Sequence, residues 1–496
     1  MKAKIFVDKN IKIGSVNKHL FGSFIEHLGR AVYTGIYEPG HPTADANGFR
    51  TDVIEMIRGL NVPIVRYPGG NYLSGYNWED GIGPKAHRPT RLDLAWQTIE
   101  DNHFGTDEFI DWCRVAGVEP MLGVNLGTGT PEKAGNLVEY CNFSHGTYYS
   151  NLRIKNGHPE SYNVKYWCLG NEMDGPWQIC HLNAEDYAKK AVETAKIMRW
   201  IDPSIRLIAC GSSGPEMPTY PEWDRIVLEE LYDQIDYISM HRYYWDNGDL
   251  LDFFASYKDM NDFIQTIKAT IDYAKAKKRS RKTVKISFDE WNVWYQNQQT
   301  PAGWVKAPHI LEDIYSLKDA LVFGGLMNTL LNNCDRVEIA CLAQLVNVIA
   351  PIFTAEGGKA FKQTIYYPFE AVSNYGRGIV LQTTTDSPTF NSKYGETKYL
   401  SDAIVYNEEN QEISIFLVNY ADKDLDLTVE LRSFGKIEAV EHLLLQSKDL
   451  LDKNTLDKPD NVLPEQAELP RVDNGRLSVK LVPHSYHMIR CRYIPQ

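Results

Sequence analysis

The chain has 496 residues, 43% of them apolar and 24% charged, which is too long for one ordinary domain and suits a large barrel with a smaller partner. Its net charge of −13 disfavours nucleic acid or an anionic membrane as a partner and suits a neutral ligand. The 29 Tyr, 18 Phe and 11 Trp furnish a sizeable core, and aromatic faces also serve sugar binding.

The opening MKAKIFVDKN lacks an apolar stretch of signal-peptide length, and no window approaches the roughly 18 apolar residues of a membrane span. The eight cysteines are scattered without a CxxC pair, and several sit inside apolar runs. They read as free thiols in a reducing compartment, so a cytoplasmic protein is expected.

The segment AKIFVDKNIKI alternates apolar and polar residues before the first buried strand, so residues 1–17 are expected to join a β-sandwich formed later in the chain. Eight short apolar runs follow: 19–28, 62–71, 119–127, 164–172, 205–213, 235–244, 284–292 and 335–347. Between most of them lie helix-period segments, such as GFRTDVIEMIRGL, AEDYAKKAVETAKIMRWI and LEDIYSLKDALVFGGLMNTLL. Segment 144–163 reads as a helix-poor insertion on the rim. Eight fully buried strands alternating with helices predict a parallel (β/α)8 barrel over 18–375. From about residue 376 the pattern changes to period two, in AIVYNEENQEISIFLVNY, LDLTVELRS and RLSVKLVP. That predicts a C-terminal antiparallel, jelly-roll-like sandwich over 376–496.

Chemistry in such a barrel belongs at the carboxyl ends of the strands. Strand 1 ends in Glu26, strand 2 in Arg66 and then Asn71, and strand 4 in Asn171 and Glu172. Strand 6 ends in His241 and Tyr243, strand 7 in Asp289 and Glu290 with Trp294 beyond, and strand 8 carries Gln344. Strands 4 and 7 face each other across the mouth, so Glu172 and Glu290 can flank one bond. Two carboxyl groups so placed are the minimum equipment for glycoside hydrolysis, one holding a proton for the leaving oxygen and the other ionised. Glu26 and Arg66 read as substrate contacts or as an ion pair between strands 1 and 2. His241 reads as a core histidine or a hydrogen-bond partner of the nucleophile, with Tyr243 the better donor to that carboxylate. Trp177 and Trp294 read as sugar faces or lid packing. Asp289 is expected to face the barrel wall, because neighbours on a strand point to opposite faces. GVNLGTGT lacks the order of a phosphate loop, GSSGPE lacks that of a serine elbow, and no HExxH or clustered Cys/His pattern occurs. No metal and no cofactor is expected.

The stretches FGSFIEHLGRAVYTGIYEPG, VRYPGGNYLSGYNWEDGIGP, CLGNEMDGPWQ, MHRYY, FDEWNVWY and AQLVN closely resemble the α-L-arabinofuranosidases of glycoside hydrolase family 51, and the resemblance covers essentially the whole chain. It implies a retaining, exo-acting enzyme that removes terminal non-reducing α-L-arabinofuranosyl residues from arabino-oligosaccharides, arabinan or arabinoxylan fragments. It implies Glu172 as general acid/base and Glu290 as nucleophile. Glu26, Asn71, Asn171, Tyr243 and Gln344 would then bind the sugar ring, with Arg66, His241, Trp177 and Trp294 in support. An intracellular homohexamer is implied as well. The rival readings are a β-glycosidase or endo-glycanase on a related barrel and a silent sugar-binding protein.

Overall fold

The computed structural model describes residues 1–296 and 303–494. Its centre is a closed barrel of eight strands: Gly22–Phe24, Ile64–Tyr67, Glu119–Val124, Tyr166–Leu169, Arg206–Ala209, Tyr237–Tyr244, Lys285–Val293 and Val337–Ala343. Every neighbouring pair is parallel, and the eighth strand closes on the first through Cys341, Leu342 and Ala343. These are barrel strands 1 to 8. The barrel interior is plugged by Phe24, Ile64, Met121, Cys168, Ile208, Tyr237, Ile339 and Cys341. That apolar plug fills the barrel beneath its mouth.

Among the described residues the expected helices form, the one expected near 252–278 as two pieces, Leu250–Phe254 and Ser256–Lys278, and Pro131–Asn142, Tyr148–Lys155 and Tyr366–Tyr375 appear beside them. Helix Pro131–Asn142 carries a local start signal. The Thr130 hydroxyl accepts from the Lys133 amide at 3.2 Å, and proline occupies the first turn. Helix Tyr148–Lys155 corrects the reading of 144–163 as helix-poor. Its buried face contains Ser150 and Arg153 instead of an apolar stripe, so periodicity could not reveal it. Arg153 holds it down by donating to the carbonyls of Tyr140 at 2.6 Å, and of Phe143 and Ser144 at 2.7 Å.

Nine C-terminal strands and the N-terminal strand form one ten-stranded sheet. Its centre runs Ser485–Ile494, Glu412–Asn419, Leu400–Asn407, Ile379–Asp386, then the N-terminal strand Lys2–Ser15, then Leu425–Glu430 and Arg476–Leu481. The N-terminal strand pairs antiparallel with Ile379–Asp386 but parallel with Leu425–Glu430, so the sheet is mixed at that one seam. Strands Lys436–Leu445 and Arg471–Asp473, near opposite edges, touch, which means the sheet curls around its own core of Ile5, Leu381, Ile404, Ile415, Leu427 and Leu477. Its other face lies on helix Leu317–Leu331, which is buried along its length except at Lys318. Close approach there needs glycine: a Cβ on Gly325 would sit 2.0 Å from the Tyr420 hydroxyl.

Candidate active site

Barrel strand 4 stops at Leu169 and the chain turns sharply. Gly170 has φ 89°, and Glu172 itself has φ 44°, a left-handed conformation that costs a non-glycine residue free energy and is found where surrounding contacts enforce it. The Gly175 amide donates to the Glu172 carbonyl at 2.8 Å and closes the turn. The Glu172 carboxylate is thereby lifted to the mouth. Trp177 donates its indole N–H to Glu172 Oε2 at 2.6 Å, and His241 Nδ1 lies 2.9 Å from Oε1.

Glu290 rises from strand 7. Arg66 donates to its Oε1 at 2.6 Å and the Tyr243 hydroxyl to its Oε2 at 2.7 Å. Both oxygens accept, as an ionised carboxylate does. Burial and the nearby Glu290 push the Tyr243 phenol well above its ordinary range, so it remains a donor. Arg66 sends a second nitrogen to Asn171 Oδ1 at 2.6 Å. The Asn171 amide nitrogen is buried and has no partner among the described residues. Trp294 sets its ring edge-on to Tyr243, with centroids 5.1 Å apart.

Asp289 does not face the wall. Strand 7 pairs Ser287 with Ser239 but Glu290 with His241, three residues along one strand against two along the other. That bulge breaks the alternation and turns Asp289 and Glu290 into the same interior. Asp289 lies 3.1 Å from His241 Nε2 and receives the Ser239 hydroxyl. His241 is thus not a bystander of the core, and its closest carboxylate is Glu172, with Glu290 at 3.6 Å.

Glu26 does not pair with Arg66, whose cation goes to Glu290. Instead its Oε1 accepts from the Tyr72 amide at 2.8 Å and the Trp96 indole at 2.9 Å, and its own amide donates to Gln344 Oε1 at 2.9 Å. Burial pushes the Glu26 carboxyl up to about 8, against those two donors. A Cβ on Gly70 would stand 2.5 Å from Glu26 Oε2, so a larger residue there would displace that carboxylate. Asn71 accepts from Gln178, whose Oε1 in turn takes the Ser74 hydroxyl at 2.6 Å. The structure therefore gathers the strand-end residues at one mouth. It adds Trp96, Ser239 and Gln178, which the strand-end argument missed. Gln178 stands inside the quoted GNEMDGPWQ stretch. Trp96 lies at the tip of a hairpin, Arg91–Asp93 with Thr98–Glu100, where nothing local marks it.

Glu172, His241 and Glu290 also bring one ligand atom each within 4.8 Å of one another, a spacing that suits a metal ion. The protons of His241 oppose that use. Asp289 faces Nε2, and Nδ1 faces both Glu172 and Glu290, so an N–H on each nitrogen suits the ring. Burial pulls the ring down, but Glu290, Asp289 and Glu172 outweigh it and push His241 up to about 10. An imidazolium has no lone pair for a cation.

Two family models match the chain: the alpha-L-arabinofuranosidase 1 domain over residues 56–262 and the alpha-L-arabinofuranosidase C-terminal domain over 289–485. An intracellular exo-alpha-(1->5)-L-arabinofuranosidase of Halalkalibacterium halodurans is 50% identical, covering 99% of each chain. One of Bacillus subtilis is 49% identical over the same shares. Among solved structures, the family 51 alpha-L-arabinofuranosidase AbfB from Bifidobacterium longum superposes with TM-score 0.95 at 41% identity, covering 98% of this chain and 99% of the other. An alpha-L-arabinofuranosidase from Thermotoga maritima, solved as an arabinose complex, gives 0.88 at 37% identity and 99% of each chain.

Proposed function

This chain belongs to the α-L-arabinofuranosidases of glycoside hydrolase family 51, and from that premise we propose how its own residues remove the sugar. The activity is that of an exo-acting α-L-arabinofuranosidase. Our reading of the mechanism is double displacement. Glu290 attacks the anomeric carbon while Glu172 gives its proton to the leaving oxygen. Glu172 then takes a proton from water, and that water releases the sugar from Glu290.

The observation that carries this reading is the closeness of the two carboxylates, one oxygen of Glu172 lying within 4.8 Å of one oxygen of Glu290. Retaining enzymes hold their carboxyl groups roughly 5–5.5 Å apart, whereas inverting ones need roughly 6.5–9.5 Å to admit water. Several further features support it. Arg66 and Tyr243 keep Glu290 aimed as an acceptor-only nucleophile. The unpartnered amide of Asn171 offers a donor to a sugar hydroxyl beside the reacting carbon, a bond that strengthens as charge develops on the ring. Glu26, Asn71 and Gln344 supply further polar groups to the arabinofuranosyl ring.

The relatives' names support terminal 1→5-linked arabinofuranosyl residues of arabino-oligosaccharides as the substrate and an intracellular setting. Family membership supports a homohexamer. The deciding measurement is proton NMR of the sugar first released from an α-L-arabinofuranosyl substrate. A β-configured product would end the double-displacement reading.

A further inference from the structure

Asp289 takes no part in the two steps above, yet with Arg66 it is one of the two most enclosed charges of the site. It is 1% exposed and stands above the apolar barrel plug, with the Cys168 thiol 3.7 Å from Oδ2. Its two oxygens look at the two cations that govern the catalytic pair. Oδ1 lies 3.1 Å from His241 Nε2, and Oδ2 lies 3.9 Å from Arg66 Nε. Arg66 continues to Glu290, and His241 continues to Glu172. The bulge in strand 7 exists in the register that brings Asp289 to this place. Arg66 and Asp289 are both fully buried, and a buried carboxylate without cations would be costly.

We infer that Asp289 is a positioning residue that keeps His241 doubly protonated, so that its Nδ1–H serves as a fixed counter-charge for whichever of Glu172 and Glu290 is ionised. The inference rests on the roles proposed above. When the glycosyl–enzyme bond forms, Glu290 gives an electron pair to carbon and loses its charge, while Glu172 gives up its proton and gains one. Negative charge thus crosses from one carboxylate to the other, and it returns in the second step. His241 Nδ1 stands between them, 2.9 Å from Glu172 and 3.6 Å from Glu290. A neutral ring with its N–H on Asp289 would aim the Nδ1 lone pair at whichever of Glu172 and Glu290 is ionised. Because Asp289 can only accept, it demands an N–H at Nε2, and the other N–H, at Nδ1, faces Glu290 before the first step and Glu172 once that residue has given up its proton. Cys168, Ser239 and Arg66 also face Asp289, and Asp174 bears on the His241 charge.

The test has two arms. Nitrogen NMR of histidine-labelled wild-type protein at pH 8 should show His241 carrying a proton on both nitrogens. A neutral His241 there overturns the inference, whether or not any variant folds. In the second arm, Asp289→Asn should leave His241 neutral at pH 7 and lower kcat by about 100-fold or more, with KM changed by less than about threefold. Added to His241→Gln, the same substitution should cost under about threefold more, because the two act as one unit. Full additivity, or an unchanged proton count on His241, would reduce Asp289 to a structural charge. The roles of Glu172 and Glu290 are decided separately by the azide products described below, so either reading can fail alone.

Discussion

Arg66 joins Glu290 to Asn171. One guanidinium nitrogen donates to Glu290 Oε1 and another to Asn171 Oδ1, each at 2.6 Å. A planar fork can hold two acceptors in one geometry, and the ammonium of lysine cannot. Arg66→Lys should therefore lower kcat on the order of 10²–10³-fold, with a smaller change in KM. Steady-state kinetics on p-nitrophenyl α-L-arabinofuranoside would measure it. A variant within threefold of wild type would remove Arg66 from the machinery.

Exogenous azide separates the two carboxylates. In Glu172→Ala the good nitrophenol leaving group needs no acid, so a burst should precede slow turnover. Azide, which needs no base, should then restore turnover and give a retained arabinosyl azide. In Glu290→Ala azide can enter only the vacated face and should give the inverted product. Proton NMR of each azide reads the outcome, and the opposite pairing would exchange the two roles.

Glu26 links stability to pH. Its folded pKa of about 8 lies above the ordinary 4.5, so the folded protein holds this proton more tightly than the unfolded chain does. Its contribution is fully present below about pH 4.5 and is lost as pH rises through about 8. Glu26→Gln keeps the shape without the titration. Above pH 8 the variant should melt higher relative to wild type than it does at pH 5, while its KM for the arabinoside rises. Melting curves at the two pH values check this, and an identical difference at both would refute it.

Removing residues 376–496 should yield insoluble or inactive protein. The deletion would bare helix Leu317–Leu331, which has no solvent-facing side, and would strip both partners from strand Lys2–Ser15. A soluble, fully active truncation would show the sheet to be dispensable. A milder variant, Gly325→Ala, forces a methyl toward the Tyr420 hydroxyl and should lower the melting temperature without changing KM.

The alternation of apolar runs with helical periods, and the polar residue at each strand tip, are local patterns, so the chain states them directly. The barrel, its strand order and the convergence of Glu26, Arg66, Asn171, Glu172, His241, Tyr243 and Glu290 followed from them by strand geometry alone. Other features depend on partners distant in the chain and have no local signature. The direction of Asp289 was decided by a register shift against strand 6, which an alternation rule assumes away. The partner of His241 was decided by which carboxylate came nearest across the mouth. Trp96 reaches Glu26 from a hairpin tip, and helix Tyr148–Lys155 rests on the fork of one buried arginine instead of an apolar stripe. Periodicity records which face of an element meets a core. It cannot record which polar atom meets which, because that depends on angstrom-scale placement set by the whole fold.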